Sequence, residues 1–364
     1  MSQTGTLDVT TLGTLDEIVE YAQSVVDPGP LTWAASGAGR STTVARNSQA
    51  IERLALVPRL MQDVTAVSTA TSFLGVPMSL PVFFSPVGST VLFHPGATAE
   101  LARGAAAFGA SVFCPTLTRS SWEEVAATAP GRHFFQLYVQ GDDAWVDDIV
   151  ERVVRAGFAA ICVTADSAVH AKRDSVTRGG FDWRLEREGM PPNLVPHGRD
   201  ETYKANFTWA KFARLCATSP LPIILKGVLT AADARLAVDH GAAAVYVSNH
   251  GGRNVDSELS TIEALAAIID EVAVNVPVVV DGGFLRAGDV LKALALGATA
   301  VGMGRLQCWA LAAGGADAVE HVLDILQRDL ATTMALLGCT SPDRITRDQV
   351  RGSFAPEIRT SQAG

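Results

Sequence analysis

The chain has 364 residues, 48% of them hydrophobic, with a formal charge of −9, and this balance leaves no basic field to draw in phosphate polymers, which excludes nucleic acid as the expected partner. No apolar stretch reaches ~18 uninterrupted residues, and MSQTGTLDVTTLGTLDE lacks the basic and apolar regions of a secretory leader, so no membrane partner and a cytoplasmic location are expected. The length is compatible with one large α/β barrel of about 250 residues or more, or with two ordinary domains.

Residues 1–75 read as mainly helical, with a Ser/Gly break at AASGAGRS (34–41), and are expected to cap the main domain at 76–355 within a single-domain molecule. From about residue 80, eight short β-rich runs follow one another: PVFFS (81–85), ASVFC (110–114), HFFQLYV (133–139), AAICVTA (159–165), PIILKG (222–227), AAVYVS (243–248), PVVVDGG (277–283) and TAVGMG (299–304). Between them lie segments such as TAELARGAAAFG (98–109), DDIVERVVRAGF (147–158), TAADARLAVDHG (230–241), TIEALAAIIDEV (261–272) and AGDVLKALALG (287–297). Their apolar residues recur at i, i+3 and i+4, and most end in the glycine that caps a helix. Strands that are apolar throughout and separated by helices are covered on both faces, which predicts a closed parallel (β/α)8 barrel; an open doubly wound sheet is the alternative. The stretch 182–207, after the fourth strand, is charged, Pro-containing and aperiodic, and reads as an excursion loop. Cys114, Cys162, Cys216, Cys308 and Cys339 are widely spaced, without a C-x-x-C pair, and read as reduced structural thiols; no metal site is expected.

Polar residues gather at the C-terminal ends of these strands, the end at which such barrels build their sites. Gln136 and Tyr138 end the third strand, Thr164 and Asp166 the fourth, and Lys226 the fifth. His250 and Arg253 follow the sixth, Asp281-Gly282-Gly283 closes the seventh, and Gly302-Met303-Gly304-Arg305 the eighth. Taken singly, a histidine there is as readily a structural side chain and a lysine a solvated one. Lys226, inside PIILKGV, nonetheless demands an anionic partner, because a buried unpaired ammonium costs several kcal/mol. Glycines after the seventh and eighth strands, with Arg305 beside them, suit a phosphate group.

The stretch SNHGGRNVD (248–256) resembles SNHGGRQLD, the signature of the FMN-dependent α-hydroxyacid oxidase and dehydrogenase family. ASGAG (35–39), RNSQAIERLALVPR (46–59), SPVGSTVLFHPGATAE (85–100), FFQLYV (134–139), LPIILKGV (221–228), GDVLKALALGATAVGMGR (288–305) and LATTMALLGC (330–339) match in order, so the resemblance spans about residues 15–350. It implies a barrel holding FMN at its C-terminal mouth. Pro86, Val87 and Gly88 would pass along the flavin, Gln136 and Thr164 would bond its pyrimidine edge, and Lys226 would sit by N1 and O2. Ser248 would face the ring, Asp281 the ribityl chain, and Gly283, Gly304 and Arg305 the phosphate. Arg173 and Arg253 would grip a substrate carboxylate, assisted by Tyr138, with bidentate contact being what guanidinium offers. His250 would take the hydroxyl proton of a 2-hydroxy acid as hydride passes to flavin N5, and Asp166 would stabilise the imidazolium. O2 or another acceptor would reoxidise the flavin, and such barrels often form homotetramers.

Departures from the family pattern bear on the substrate. Trp33 stands where a tyrosine usually touches the substrate carboxylate; an indole donates a single hydrogen bond and is bulkier, so an altered contact is expected there. Leu285, in DGGFLR, replaces an arginine beside the phosphate, with Arg286 or Arg305 as the compensating cation. Pro115 and Leu117 replace polar and aromatic wall residues. Gly88 is shared with mandelate dehydrogenase and lactate 2-monooxygenase, where glycolate and lactate oxidases carry alanine. The expected activity is oxidation of an aromatic or medium-sized apolar 2-hydroxy acid to the 2-oxo acid. Oxidative decarboxylation, an FMN barrel used as an isomerase or tailoring enzyme, and a silent FMN-binding module are the alternatives.

Overall fold

The computed structural model describes residues 8–181 and 202–352, with eight of its strands closed into one parallel barrel. The barrel strands are β1 (Val82–Phe84), β2 (Ser111–Pro115), β3 (Phe134–Leu137), β4 (Ile161–Thr164), β5 (Ile223–Val228), β6 (Ala244–Val247), β7 (Val278–Val280) and β8 (Ala300–Met303). All eight expected runs are strands, and Met303 pairing with Phe84 closes the ring. The open-sheet alternative is thereby excluded.

The strands read as continuous apolar runs because both faces are covered. Phe83, Phe113, Phe134 and Tyr246 fill the barrel interior, with Phe113 and Phe134 stacked at 4.8 Å between centroids. The opposite side chains pack under the outer helices, among them Ala97–Phe108, Asp143–Ala156, Ala231–Asp239, Thr261–Val272 and Ala287–Leu296, which match the expected segments. Gly109 and Gly157 end two of these helices in the left-handed conformation, at φ +83° and +88°, which costs glycine no side-chain clash.

The N-terminal helices are α1 (Leu15–Val25), α2 (Pro28–Ala35) and α3 (Thr42–Glu52). A Thr14/Glu17 capping box starts α1, and the Ser/Gly break falls between α2 and α3 as expected. This segment is tied across the mouth: Ala38 N–H donates to Gly252 O at 2.8 Å, and Asp256 accepts from Arg40 N, Thr43 N and the Thr42 hydroxyl. Burial alone would raise the Asp256 pKa, but those hydrogen bonds outweigh it and hold it at about 2. A hairpin of Thr71–Phe73 and Val76–Met78 straddles the expected boundary at residue 75 and plugs the other end, with Phe73 and Met78 joining the interior cluster. The excursion expected at 182–207 lies mostly outside the described residues; its end forms the short helix Thr202–Ala205. After β8 comes a long helical span, Arg305–Leu336, broken by non-helical backbone at Gly314 and Gly315, and the short strand Val350–Arg351 then pairs with Ala55–Leu56. No described helix is long and apolar enough to cross a membrane, and the five cysteines are free.

Candidate active site

Parallel strands deliver their last residues to one end of the barrel, and a cavity opens there. Its lining brings together Trp33, Pro86, Val87, Gly88, Gln136, Tyr138, Arg173, Lys226, His250, Arg253, Asp281, Gly283, Gly304 and Arg305, drawn from loops far apart in sequence. Thr164 and Ser248 sit just behind that lining, on the ends of β4 and β6.

His250 stands at φ +57°, a left-handed backbone that a bulky residue adopts only at a cost of about 1–3 kcal/mol. The Ser248 hydroxyl accepts its N–H at 3.1 Å and steadies the turn. The ring then bridges two partners: Nδ1 lies 3.0 Å from Asp166 Oδ1, and Nε2 lies 3.3 Å from the Tyr138 hydroxyl. A carboxylate at Nδ1 selects the tautomer with hydrogen there and leaves the Nε2 lone pair facing the cavity. Burial would raise the Asp166 pKa, but its interactions with His250 and Lys226 and the hydrogen bonds from His250 and Ser167 outweigh it and hold the group below the ordinary carboxylate value. Burial, reinforced by Asp166, raises that of Tyr138, so the phenol keeps its proton.

Sequence reasoning passed over three residues that set this triad, Gly227, Asn254 and Ser167, and a fourth, Glu258, near it. Gly227 forms a bulge in β5 at φ +107°, and a Cβ there would lie 2.6 Å from Asp166 Cβ. Glycine therefore lets β5 and the β4 end approach closely enough to aim Asp166 at the imidazole. The Asn254 amide donates to Asp166 O and to the Ser167 hydroxyl, each at 2.8 Å, and Ser167 in turn donates to Asp166 Oδ1 at 3.2 Å. Glu258 is the fourth: half-buried, its Oε1 has no hydrogen-bond partner among the described residues. Burial first, then the Asp166 and Asp256 charges, push its pKa up to about 7. The sequence signal for Gly227 was a glycine directly after the buried lysine; Ser167 and Asn254 carried none beyond their place beside the motif residues.

Lys226 is answered within the protein. Its Nζ donates to Ser248 Oγ at 2.7 Å and lies 3.7 Å from Asp281, which also accepts from Ser248 and Tyr246 at 2.6 and 2.9 Å. Burial alone would depress the ammonium, yet the Asp281 and Asp166 charges outweigh it and hold its pKa above the ordinary value. Beside this pair, Gln136 Nε2 and Thr164 Oγ1 are buried with no hydrogen-bond partner among the described residues. Native proteins rarely leave such groups unmet, so they call for a polar ring edge at this depth. Arg305 meets only the carbonyls of Ala34, Ser36 and Gly251, and no described carboxylate lies within ion-pair distance. Burial depresses its pKa. Gly304 beside it would place a Cβ no nearer than 4.0 Å to a neighbour, leaving backbone open to an anion. A flat polar ring joined to a phosphate fits these demands, which is the chemistry of FMN.

Arg286 departs from expectation. Its guanidinium pairs with Asp16 at 2.5 Å on α1, its backbone N–H starts the helix Ala287–Leu296 through Asp289, and it is absent from the cavity lining. The helix start turns the side chain outward to the N-terminal segment, away from the cavity lining. Leu285 lies on the rim of the cavity. Trp33 lies beside the guanidinium groups, with Arg253 Cζ at 4.5 Å and Arg173 Cζ at 5.9 Å from its ring centroid.

Residues 22–352 match the model of a family described as FMN-dependent dehydrogenase. An L-lactate oxidase of Nostoc sp. is 36% identical over 351 residues, covering 90% of this chain and 94% of that protein. A glycolate oxidase of Spinacia oleracea is 39% identical over 333 residues, covering 88% and 90%. Among solved structures, mandelate oxidase with benzoyl-formic acid superimposes with a TM-score of 0.86 at 35% identity, over 94% of this chain and 99% of that one.

Proposed function

The chain belongs to the FMN-dependent dehydrogenase family, and on that basis we propose that it oxidises a 2-hydroxy acid to the 2-oxo acid, with His250 as the base and Arg173 and Arg253 as the carboxylate grip. The observation that carries this reading is a single mouth in which Nε2 of an Asp166-paired His250 faces the same cavity as two guanidinium groups.

A 2-hydroxy acid presents one carboxylate and, one carbon away, a hydroxyl whose proton must leave as the carbonyl forms. Arg253 Nη1 is occupied by three backbone carbonyls, whereas Nη2 is buried with no partner among the described residues and is available to a ligand. With Arg173 beside it, the carboxylate has two forks to meet. The hydroxyl then falls to Nε2 of His250, which takes its proton, and Asp166, held ionised, stabilises the resulting imidazolium. Tyr138, protonated and 3.3 Å from Nε2, donates to the substrate oxygen and orients it. Gln136, Thr164, Lys226, Ser248 and Asp281 would hold the ring and sugar chain of FMN, and Gly283, Gly304 and Arg305 its phosphate. FMN, when bound, supplies the two-electron acceptor for the hydrogen on the substrate Cα. We assign O2 or another small acceptor to the return half-reaction.

Leu117, Val169 and Trp33 give the cavity lining apolar surface, which supports an aromatic or medium-sized apolar substituent; the solved mandelate oxidase, taken with benzoyl-formic acid, is of that kind. Mixing the FMN-loaded protein anaerobically with glycolate, L-lactate and mandelate in turn tests the proposal. Bleaching of the flavin band is expected, fastest with mandelate. An unbleached spectrum across a broad 2-hydroxy acid panel would overturn it.

A further inference from the structure

Tyr246 stands fully buried in the barrel interior, with the rings of Phe83 and Phe113 at 5.5 and 5.6 Å between centroids. A phenol in such a layer must find a partner for its hydroxyl. It finds the ion pair at the closed end of the cavity: the O–H donates to Asp281 Oδ2 at 2.9 Å, and the ring centroid lies 5.2 Å from Lys226 Nζ. Tyr246 therefore touches both charges. Its one proton stays in place, because burial, then the Asp281 charge, raise its pKa well above the ordinary phenol value. With that proton committed to Asp281, the Ser85 hydroxyl, 2.9 Å away, must donate to the phenol oxygen. A Cβ at Gly302 would overlap both hydroxyl oxygens, so the glycine in β8 leaves the room this pair needs.

Each oxygen of the Asp281 carboxylate is thus met by a hydroxyl, Oδ1 by Ser248 at 2.6 Å and Oδ2 by Tyr246. Lys226 Nζ lies 3.7 Å from Oδ2, near enough to be attracted and too far for a hydrogen bond. It donates to Ser248 instead and lines the cavity.

We propose that Tyr246 is a positioning residue for the cofactor: it supplies the hydrogen bond that Asp281 Oδ2 would otherwise take from Lys226, and so keeps the ammonium turned to the cavity. The proposal rests on Lys226 holding the flavin ring, as set out above. Two-electron reduction of FMN adds negative charge to the ring, so a facing ammonium favours the reduced form over the oxidised one. In Tyr246→Phe the ring remains, and Oδ2 draws Nζ back as its replacement donor. A hydrogen bond to a charged group is worth about tenfold at its weaker end, so the preference for reduced FMN should fall about tenfold, which is about 30 mV in a two-electron midpoint potential.

The midpoint potential of bound FMN is measured against reference dyes in wild type, Tyr246→Phe, Ser85→Ala and Lys226→Met, with FMN affinity and Tm taken on the same samples. Tyr246→Phe should lie about 30 mV below wild type. Ser85→Ala, which weakens the phenol as a donor by removing the hydrogen bond it accepts, should lose about twofold, or about 10 mV. In both, the affinity for oxidised FMN should stay nearly constant and the potential should not track Tm. Lys226→Met should fall below either. A Tyr246→Phe potential equal to wild type, beside a lowered Lys226→Met, would overturn the proposal, since a phenol that only supports the barrel moves Tm alone. If Tyr246→Phe does not fold, a wild-type potential in Ser85→Ala would overturn it equally. A wild-type potential in Lys226→Met would instead sink the placing of Lys226 at the flavin, and the proposal with it.

Discussion

Replacing Lys226 by methionine keeps the length of the side chain and removes the cation from the closed end of the mouth. The side chains of Lys226 and Asp281 are 3% and 8% exposed, with Nζ 3.7 Å from Oδ2, so the pair is shielded from water. In Lys226→Met the Asp281 carboxylate keeps the hydrogen bonds from Ser248 and Tyr246 but loses its neutralising charge. Breaking one side of a buried pair costs about 3–5 kcal/mol, largely because the other charge stays behind. A second change, Asp281→Asn, removes that residual charge, so the double variant should recover at least about 2 kcal/mol of the loss. Urea unfolding followed by tryptophan fluorescence, with FMN omitted so that ligand binding does not enter, measures all three proteins. A single variant as stable as wild type, or a double variant no better than the single, would show that the buried Lys226–Asp281 charges are not coupled in this way.

Glu258 has a raised pKa, so the folded state binds its proton more tightly than the unfolded chain does. Its contribution is therefore fully present below pH 4.5 and lost as pH rises through about 7. Glu258→Gln should match wild type at low pH and exceed it above neutrality by about 1 kcal/mol, the site being half-exposed and screened; stability curves that run parallel across this window would contradict it. Leu285→Arg should tighten FMN binding about tenfold through one charge-assisted hydrogen bond to the phosphate, and fluorescence titration showing no gain would place the phosphate elsewhere. Gly227→Ala should leave FMN bound while slowing its reduction, because the added methyl displaces Asp166 from His250; wild-type reduction kinetics would refute that link.

The barrel was legible because strands covered on both faces must be apolar throughout, and their polar last residues, Lys226 above all, then stand out against the pattern. The partners of those residues were less legible. That Lys226 meets Ser248 and Asp281 follows from the register of three neighbouring strands, which local periodicity does not encode. Arg286 was expected at the phosphate from its position in DGGFLR, but the start of the following helix and Asp16 decide its direction. The hairpin plugging the barrel was missed because each of its strands is only three residues long, too short to show alternation.

In this mechanism His250 takes the hydroxyl proton of a 2-hydroxy acid. Anaerobic stopped-flow reduction of FMN-loaded His250→Ala, compared with wild type on the substrate that bleaches wild type fastest, tests it most directly. The variant should keep a bound, yellow cofactor and show reduction slowed by about 10²–10⁴-fold. Reduction at the wild-type rate would contradict it.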